Sequence, residues 1–572
     1  MTSRPSPADI FASIAQSGND MAQNWLRLAS SAPAQGAPAA WLAQLAGNPA
    51  RLQSLQAEYL EKQRQLWAGL AGGGERGPAA RPDGGDRRFA AQAWSDDPYF
   101  SYLKQSYLLG AEFLERLVEE AALEGQAKER LRFTVRQWLD AMSPANFAAT
   151  NPEVMRRIRE TRGESLARGM ANLIGDATRG RIQQSDESAF EVGRNLAVTP
   201  GSVVHENELM QLIQYAPQTG MVGKRPLVVV PPCINKYYIL DLQPGNSFVR
   251  YAVAEGHTVF MVSWRNPGPA QGRYGWDDYL EMGVLEALRA AREITKADRV
   301  NALGFCVGGT LLGAALGVLA AKGEELVESA TYLASMLDFS DSGQIGLFVD
   351  DSSVAAREAA LGRGGILPAA ELSTVFSALR ANDLIWPYVV NNYLLGGTPP
   401  AFDLLYWNAD GTNLPGPMYC WYLRNTYLEN KLRAPGAVAC LGVPVDLSKA
   451  DRPSFIVATR EDHIVPWRTA YRSLEVLGGE KQFVLGASGH VAGIVNPPAK
   501  TRRSYWADGA PSADADAWLA GAVETAGSWW PRWAAWLASF KGGNRKAPAR
   551  AGNARYRAIE PAPGRYVKQK AN

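Results

Sequence analysis

Histidine and cysteine are both scarce in this chain. Of 572 residues, four are histidine and four are cysteine. Cys233, Cys306, Cys420 and Cys440 lack the paired short spacing of zinc ligands and are too sparse to staple so long a chain. They read as reduced thiols of a cytoplasmic protein, and no metal is expected. A surplus of either charge is missing as well: 59 Lys and Arg stand against 57 Asp and Glu, a formal net charge of +2. No global field therefore points to nucleic acid or a membrane surface. Long apolar runs are absent too. The run at residues 308–321 is too short to span a bilayer, and MTSRPSPADIFASIAQSGND has no apolar signal core. Secretion and transmembrane insertion are both disfavoured.

What is present is apolar material for a large core: 46% of the residues are hydrophobic, enough for two or three domains. Residues 8–70 show helical apolar spacing, and GGGERGPAARPDGGDRRF then breaks it, giving a Gly/Pro-rich linker near 72–85. A second helical block, about 98–180, holds no convincing strand, so residues 1–186 are expected to form an all-α N-terminal domain. From 187 onward the texture is that of a parallel α/β sheet, short β-branched runs alternating with amphipathic helices. PLVVVPP, HTVFMVSW, VNALGF, SATYLAS, PSFIVATR and KQFVLGAS read as strands, the final ones closing the sheet. DDYLEMGVLEALRAAREI and VGGTLLGAALGVLAA read as helices. More than a hundred residues separate Asp338 from Pro453, where a crossover needs about a dozen. Residues 339–450 therefore form an insertion into the 187–572 catalytic domain. Its many aromatics, Trp386, Tyr406, Trp407, Trp421 and Tyr422 among them, suit a cap with a core of its own and a substrate lid or association face.

Gly304-Phe305-Cys306-Val307-Gly308 has the glycine-x-nucleophile-x-glycine form of the α/β-hydrolase elbow, with cysteine where serine usually stands. The sharp strand-to-helix turn forces the nucleophile into an unfavourable backbone conformation and leaves no room for side chains two residues either side. The N-terminus of the following helix favours thiolate. Scarce histidine narrows the search for a base. His205 precedes the sheet, and His257 opens its strand at the N-terminal end, the wrong edge of a parallel sheet for chemistry; both read as structural. His490 ends FVLGASGH and Asp462 ends FIVATRED, each just past a strand. The chain order Cys306, Asp462, His490 is that of nucleophile, acid and histidine in α/β-hydrolases. Glu461 and Asp338 compete for the acid, and His463 is the alternative base, though it suits a pocket wall better. For an oxyanion the N–H of Val307 is the first donor expected; Pro231 and Pro232 have none, so Cys233 and Ile234 offer the next. GSWWPRWAAWLASF reads as a core-packing helix, and residues 541–572, with nine Lys/Arg and one Glu, read by default as a solvated tail, docking on the protein's own surface being the alternative.

PPCINKYYILDLQP, GFCVGGT, NLPGPMYCWYLRNTYLENKL, REDHIVPW, LGASGHVAGIVNPPAKTRRSYW and GNARYRAIEPAPGRYVKQKA, in this order, closely resemble the class I polyhydroxyalkanoate synthases. The similarity runs from about residue 86 to the C-terminus. It implies an α/β-hydrolase fold and a cytoplasmic enzyme that polymerises (R)-3-hydroxyacyl-CoA, short-chain forms such as 3-hydroxybutyryl-CoA in particular, into polyester. It further implies a homodimer with a mobile cap, attachment to the growing polyester and its granule surface, and contact with other granule-associated proteins. No cofactor, metal, nucleic acid or transmembrane segment is expected. The family's catalytic Cys, Asp and His fall on Cys306, Asp462 and His490, and Asn235 and His463 are expected in the substrate pocket.

Overall fold

Proline and short polar side chains set where the N-terminal helices begin. In a computed structural model describing residues 49–72, 80, 82, 86–499 and 501–571, Asp97 accepts from the amides of Tyr99 and Phe100 ahead of Pro98, and Asn151 does the same for Glu153 and Val154 ahead of Pro152. Residues 8–48 of the expected helical region, and most of the linker, lie outside the described residues. Helices α1 (Pro49–Gly72), α2 (Pro98–Glu120), α3 (Gly125–Ala141) and α4 (Pro152–Glu160) belong to one compact unit, which runs to Ser165 and includes Asp350–Ser353. Within it α1 packs along α2, burying Leu55 and Leu66 and stacking Tyr59 on Phe113 with ring centroids 4.9 Å apart.

The second unit comprises residues 166–349 and 354–572. It takes in most of α5 (Glu164–Arg179), so the division in space falls upstream of the change in sequence texture at 187. The reason is packing on the insertion. The Asn172 amide donates to the carbonyls of Asn392 and Gly397, and the Tyr393 hydroxyl donates to Asp176 at 2.8 Å. A Cβ at Gly169 would stand 1.8 Å from the Tyr393 carbonyl oxygen, so only glycine admits this approach.

Among the described residues the sheet has 11 strands. They are β1 (Gly201–Glu206), β2 (Met210–Tyr215), β3 (Leu227–Val230), β4 (Val259–Trp264), β5 (Val300–Phe305), β6 (Val327–Leu333), β7 (Ser454–Thr459), β8 (Lys481–Gly486), β9 (Ser504–Ala507), β10 (Val523–Ala526) and β11 (Glu560–Pro561). Their order is β10-β9-β8-β7-β6-β5-β3-β4-β2-β1-β11, parallel from β4 to β8 and antiparallel on both flanks. The six parallel strands are those read from the sequence, and β3, β4, β5 and β7 are buried throughout, as a sheet covered on both faces requires.

Sequence reading missed the flanks. KQFVLGAS does not close the sheet, because β9 and β10 add beyond it; β10, VETA, is exposed throughout and carries no hydrophobic run to announce it. The C-terminal stretch is not a solvated tail. Residues Asn544–Lys546 pair with the strand Met221–Gly223, β11 pairs with β1, and Tyr566 and Val567 are buried. Backbone pairing, which charge counting does not register, holds it down. The stretch read as one helix from DDYLEMGVLEALRAAREI is broken by a π-helical turn at Tyr279–Leu285, where Gly283 makes room for the Trp264 ring.

Candidate active site

Cys306 sits between the end of β5 and helix α6 (Val307–Lys322) with φ 53° and ψ −128°, a conformation that costs a non-glycine residue on the order of 1–3 kcal/mol. The surroundings over-determine it. A Cβ at Gly304 would stand 2.4 Å from the Gly309 Cα, and one at Gly308 would stand 2.2 Å from the Val230 carbonyl oxygen. The helix start therefore packs directly on the end of β3. Gly309, which the elbow motif does not include, is equally constrained by Ser335 Oγ at 2.0 Å from a built Cβ.

Asp462 and His490 follow β7 and β8 at the same C-terminal edge of the sheet. Their side chains meet, with His490 Nδ1 2.7 Å from Asp462 Oδ2 and both groups buried. The carboxylate is fixed by three further donors: the Thr459 hydroxyl at 3.0 Å to Oδ2, and the amides of Ile464 and Val465 at 2.9 and 2.8 Å to Oδ1. Nδ1 is taken by Asp462, which leaves Nε2 to exchange a proton, and the imidazole feels the Cys306 side chain as well as the carboxylate. Burial by itself pushes the His490 pKa down; the Asp462 carboxylate and the charge on Cys306 outweigh it and raise the pKa to about 10. Phe305 stacks on the imidazole at 5.4 Å. Behind the loop, the indole N–H groups of Trp529 and Trp530 donate to the carbonyls of Gly493 and Ile494 at 3.0 and 2.9 Å. The tryptophan-rich helix is thus core, and it also supports the histidine loop.

The competing residues are engaged elsewhere. Asp338 accepts from the Ser340 amide and the Asn430 side chain, both at 2.8 Å, and faces Arg433 at 2.9 Å; it ties the insertion to the sheet. Glu461 is exposed, its amide bonded to the Ser488 carbonyl. His463 neighbours the pair, and burial holds its pKa near 4, against the pull of Asp462. His205 pairs with Glu286 at 3.3 Å, and His257 is buried beside Trp533 with neither ring nitrogen hydrogen-bonded among the described residues.

Of the expected oxyanion donors, Val307 supplies the first amide of α6, which has no acceptor within its own helix. Cys233 and Ile234 lie on the loop after β3, which is steadied by Trp264 Nε1 donating to the Pro231 carbonyl at 2.9 Å. Asn235 forms a β-bridge with Gly411 of the insertion. Sequence reading gave Tyr422 only as one of the insertion's aromatics and did not name Tyr427. Both phenols have raised pKa values through burial and also through the charge of Cys306, and Phe339 packs edge-on to each. Two buried phenols of the insertion are thus electrostatically coupled to the sulfur. Only their residue type, in an aromatic-rich segment, could have signalled them.

The parallel sheet, the glycine-flanked cysteine at its elbow and the His–Asp pair on later loops define a protein of the α/β-hydrolase class. The family described as alpha/beta hydrolase fold matches residues 226–497, and that described as Poly-beta-hydroxybutyrate polymerase (PhaC) N-terminus matches 85–252. Among curated proteins, the Poly(3-hydroxyalkanoate) polymerase subunit PhaC of Cupriavidus necator is 54% identical over 91% of this chain and 89% of its own length. The protein so named from Rhizobium meliloti is 42% identical over 85% and 80%, and the Poly(3-hydroxyalkanoate) polymerase of Methylorubrum extorquens is 43% identical over 86% and 82%. The chain belongs to the poly(3-hydroxyalkanoate) polymerase, or polyhydroxyalkanoate synthase, family. Among solved structures, a monoacylglycerol lipase of Paleococcus ferrophilus is similar over 49% of this chain and 90% of its own, at 12% identity and a TM-score of 0.33. No described helix is long and apolar enough to cross a membrane.

Proposed function

We propose that this protein polymerises (R)-3-hydroxyacyl-CoA, chiefly short-chain forms such as 3-hydroxybutyryl-CoA, into polyester with release of CoA, through a thioester on Cys306. The observation that carries this reading is the partly exposed cysteine at a strained elbow, at the same sheet edge as a His490 that Asp462 orients at 2.7 Å. His490 takes the thiol proton and the sulfur attacks the substrate carbonyl. The oxyanion that forms is received by the amides of Val307 and of Cys233 or Ile234. The bond to the CoA sulfur breaks, and His490 returns its proton to the departing thiolate. Exchange of one thioester for another is nearly balanced, so the acyl group is held without being trapped. The hydroxyl of another acyl unit then attacks, His490 accepting its proton; an oxygen ester forms downhill and the Cys306 thiol is released. Asp462 orients His490 and stabilises its cation.

Water is the competing nucleophile, and the buried phenols of Tyr422 and Tyr427 supply its exclusion. The reaction balances without a redox or metal cofactor. The proposed setting is the cytoplasm, as a homodimer at the surface of the polyester granule. Incubation with 3-hydroxybutyryl-CoA tests the reading: insoluble polyester and CoA are expected, and CoA with free hydroxy acid alone would overturn it. Cys306→Ala is expected to abolish acylation and polymer together; persistence of both would remove Cys306 from the mechanism.

A further inference from the structure

The loop after β3, which carries Cys233 and Ile234, is clamped at its far end by segments remote in sequence. Thr412 N donates to the Ile234 carbonyl at 2.8 Å, and Trp407 Nε1 donates to the Lys236 carbonyl at 2.7 Å. The Lys236 side chain itself is 2% exposed, and its ammonium donates at 2.7 Å to the carbonyl of Gln569, close to the end of the chain. The tail is secured again at the next residue. Asn266 Nδ2 donates to the Lys570 carbonyl at 3.0 Å, and Lys570 Nζ pairs at 3.0 Å with Asp410, which accepts from the Tyr238 hydroxyl at 2.9 Å. Burial lowers the Lys236 pKa to about 8 even though Asp410 opposes the shift. An apolar side chain of that length would fill the same space without the desolvation cost of a charge. What the lysine adds is a directed bond from the oxyanion loop to the tail.

We infer that Lys236 is a positioning residue for acyl transfer, fixing through Gln569 the loop whose Cys233 and Ile234 amides receive the oxyanion. The inference rests on the proposed function. It explains why a chain end distant from Cys306 in sequence is held at a buried lysine one residue beyond Asn235. The tail acts as the outer brace of the site.

The test compares Lys236→Met, a chain ending at Lys568, and the two changes combined, each as full-length protein otherwise. CoA release from 3-hydroxybutyryl-CoA gives kcat and KM, and iodoacetamide alkylation reports Cys306, the other three cysteines being buried. Loss of positioning at a distance costs about 10- to 100-fold in rate. We expect a fall of that size in kcat for each single change, with KM nearly unchanged. Alkylation is expected to proceed at the unaltered rate, because sulfur, imidazole and Asp462 are not displaced. The combined change is expected to lose no more than either alone. Unchanged kcat in Lys236→Met, alkylation and kcat falling together, or losses that multiply in the combined variant would each overturn the inference while leaving the proposed function standing. Absence of CoA release by the unaltered protein would overturn both.

Discussion

Besides His490, Asp462 receives three hydrogen-bond donors on its two oxygens, so its orientation is set independently of the imidazole. An amide in its place presents one oxygen and one NH2 group, and cannot satisfy the Ile464 and Val465 amides and the imidazole at once. Asp462→Asn is therefore expected to drop the His490 pKa from about 10 toward its ordinary range and to reduce kcat by roughly 10²- to 10⁴-fold. The pH profile of Cys306 alkylation checks the first effect and CoA release the second. Stability follows with a definite sign. Because the folded-state pKa of His490 lies above the unfolded value of about 6.5, the pair's contribution is full below about pH 6.5 and is lost as pH rises through about 10. Thermal midpoints measured over that window are expected to fall with pH in the unaltered protein and to flatten in Asp462→Asn.

At the level of elements, the junction of β3 with α6 tolerates least. Gly308→Ala sets a Cβ 2.2 Å from the Val230 oxygen and 2.7 Å from the Pro231 oxygen, both main-chain atoms that cannot turn aside. A loss of about 3 kcal/mol or more is expected, read as a lowered denaturation midpoint. Gly313→Ala, on the same helix, meets the tip of the Leu337 side chain at 2.6 Å, which a change of rotamer relieves; its cost is expected to be clearly smaller. Beside β4, burial holds the His257 pKa near 3. The unfolded chain binds this proton below about pH 6.5 and the folded one does not. Stability is therefore lost as pH falls from 6.5 toward 3, by roughly 5 kcal/mol in all. His257→Leu is expected to flatten that acid limb in urea titrations at several pH values, and an unchanged limb would assign the acid sensitivity elsewhere.

Across the whole molecule, the insertion connects to the site at two levels. Asp338, Asn430 and Arg433 tie it to the sheet, and the buried phenols of Tyr422 and Tyr427 feel the charge of Cys306. Under the proposed reaction, Tyr427→Ala opens a path for water to the acyl group. The fraction of 3-hydroxybutyryl-CoA recovered as free hydroxy acid is expected to rise several-fold with acylation retained, measured by chromatography of the soluble products. An unchanged partition would mean that water is excluded by other groups.

What the sequence determined by itself is local chemistry with a regular period: the buried parallel strands, the Gly304 to Gly308 elbow, and Cys306, Asp462 and His490 each just past its own strand. These are legible because strand burial writes continuous apolar runs and a strained turn demands glycine. Only the tertiary structure decided what depends on pairing between distant segments. The exposed β10 and the basic C-terminal stretch are held by backbone hydrogen bonds that no side-chain pattern encodes. Asp338 is removed from contention because Asn430, 92 residues away, reaches it first. The contact of Lys236 with Gln569 likewise exists only once the C-terminal stretch folds onto the loop after β3. Main-chain pairing and long-range packing are properties of the folded chain, and no local pattern of residues encodes them.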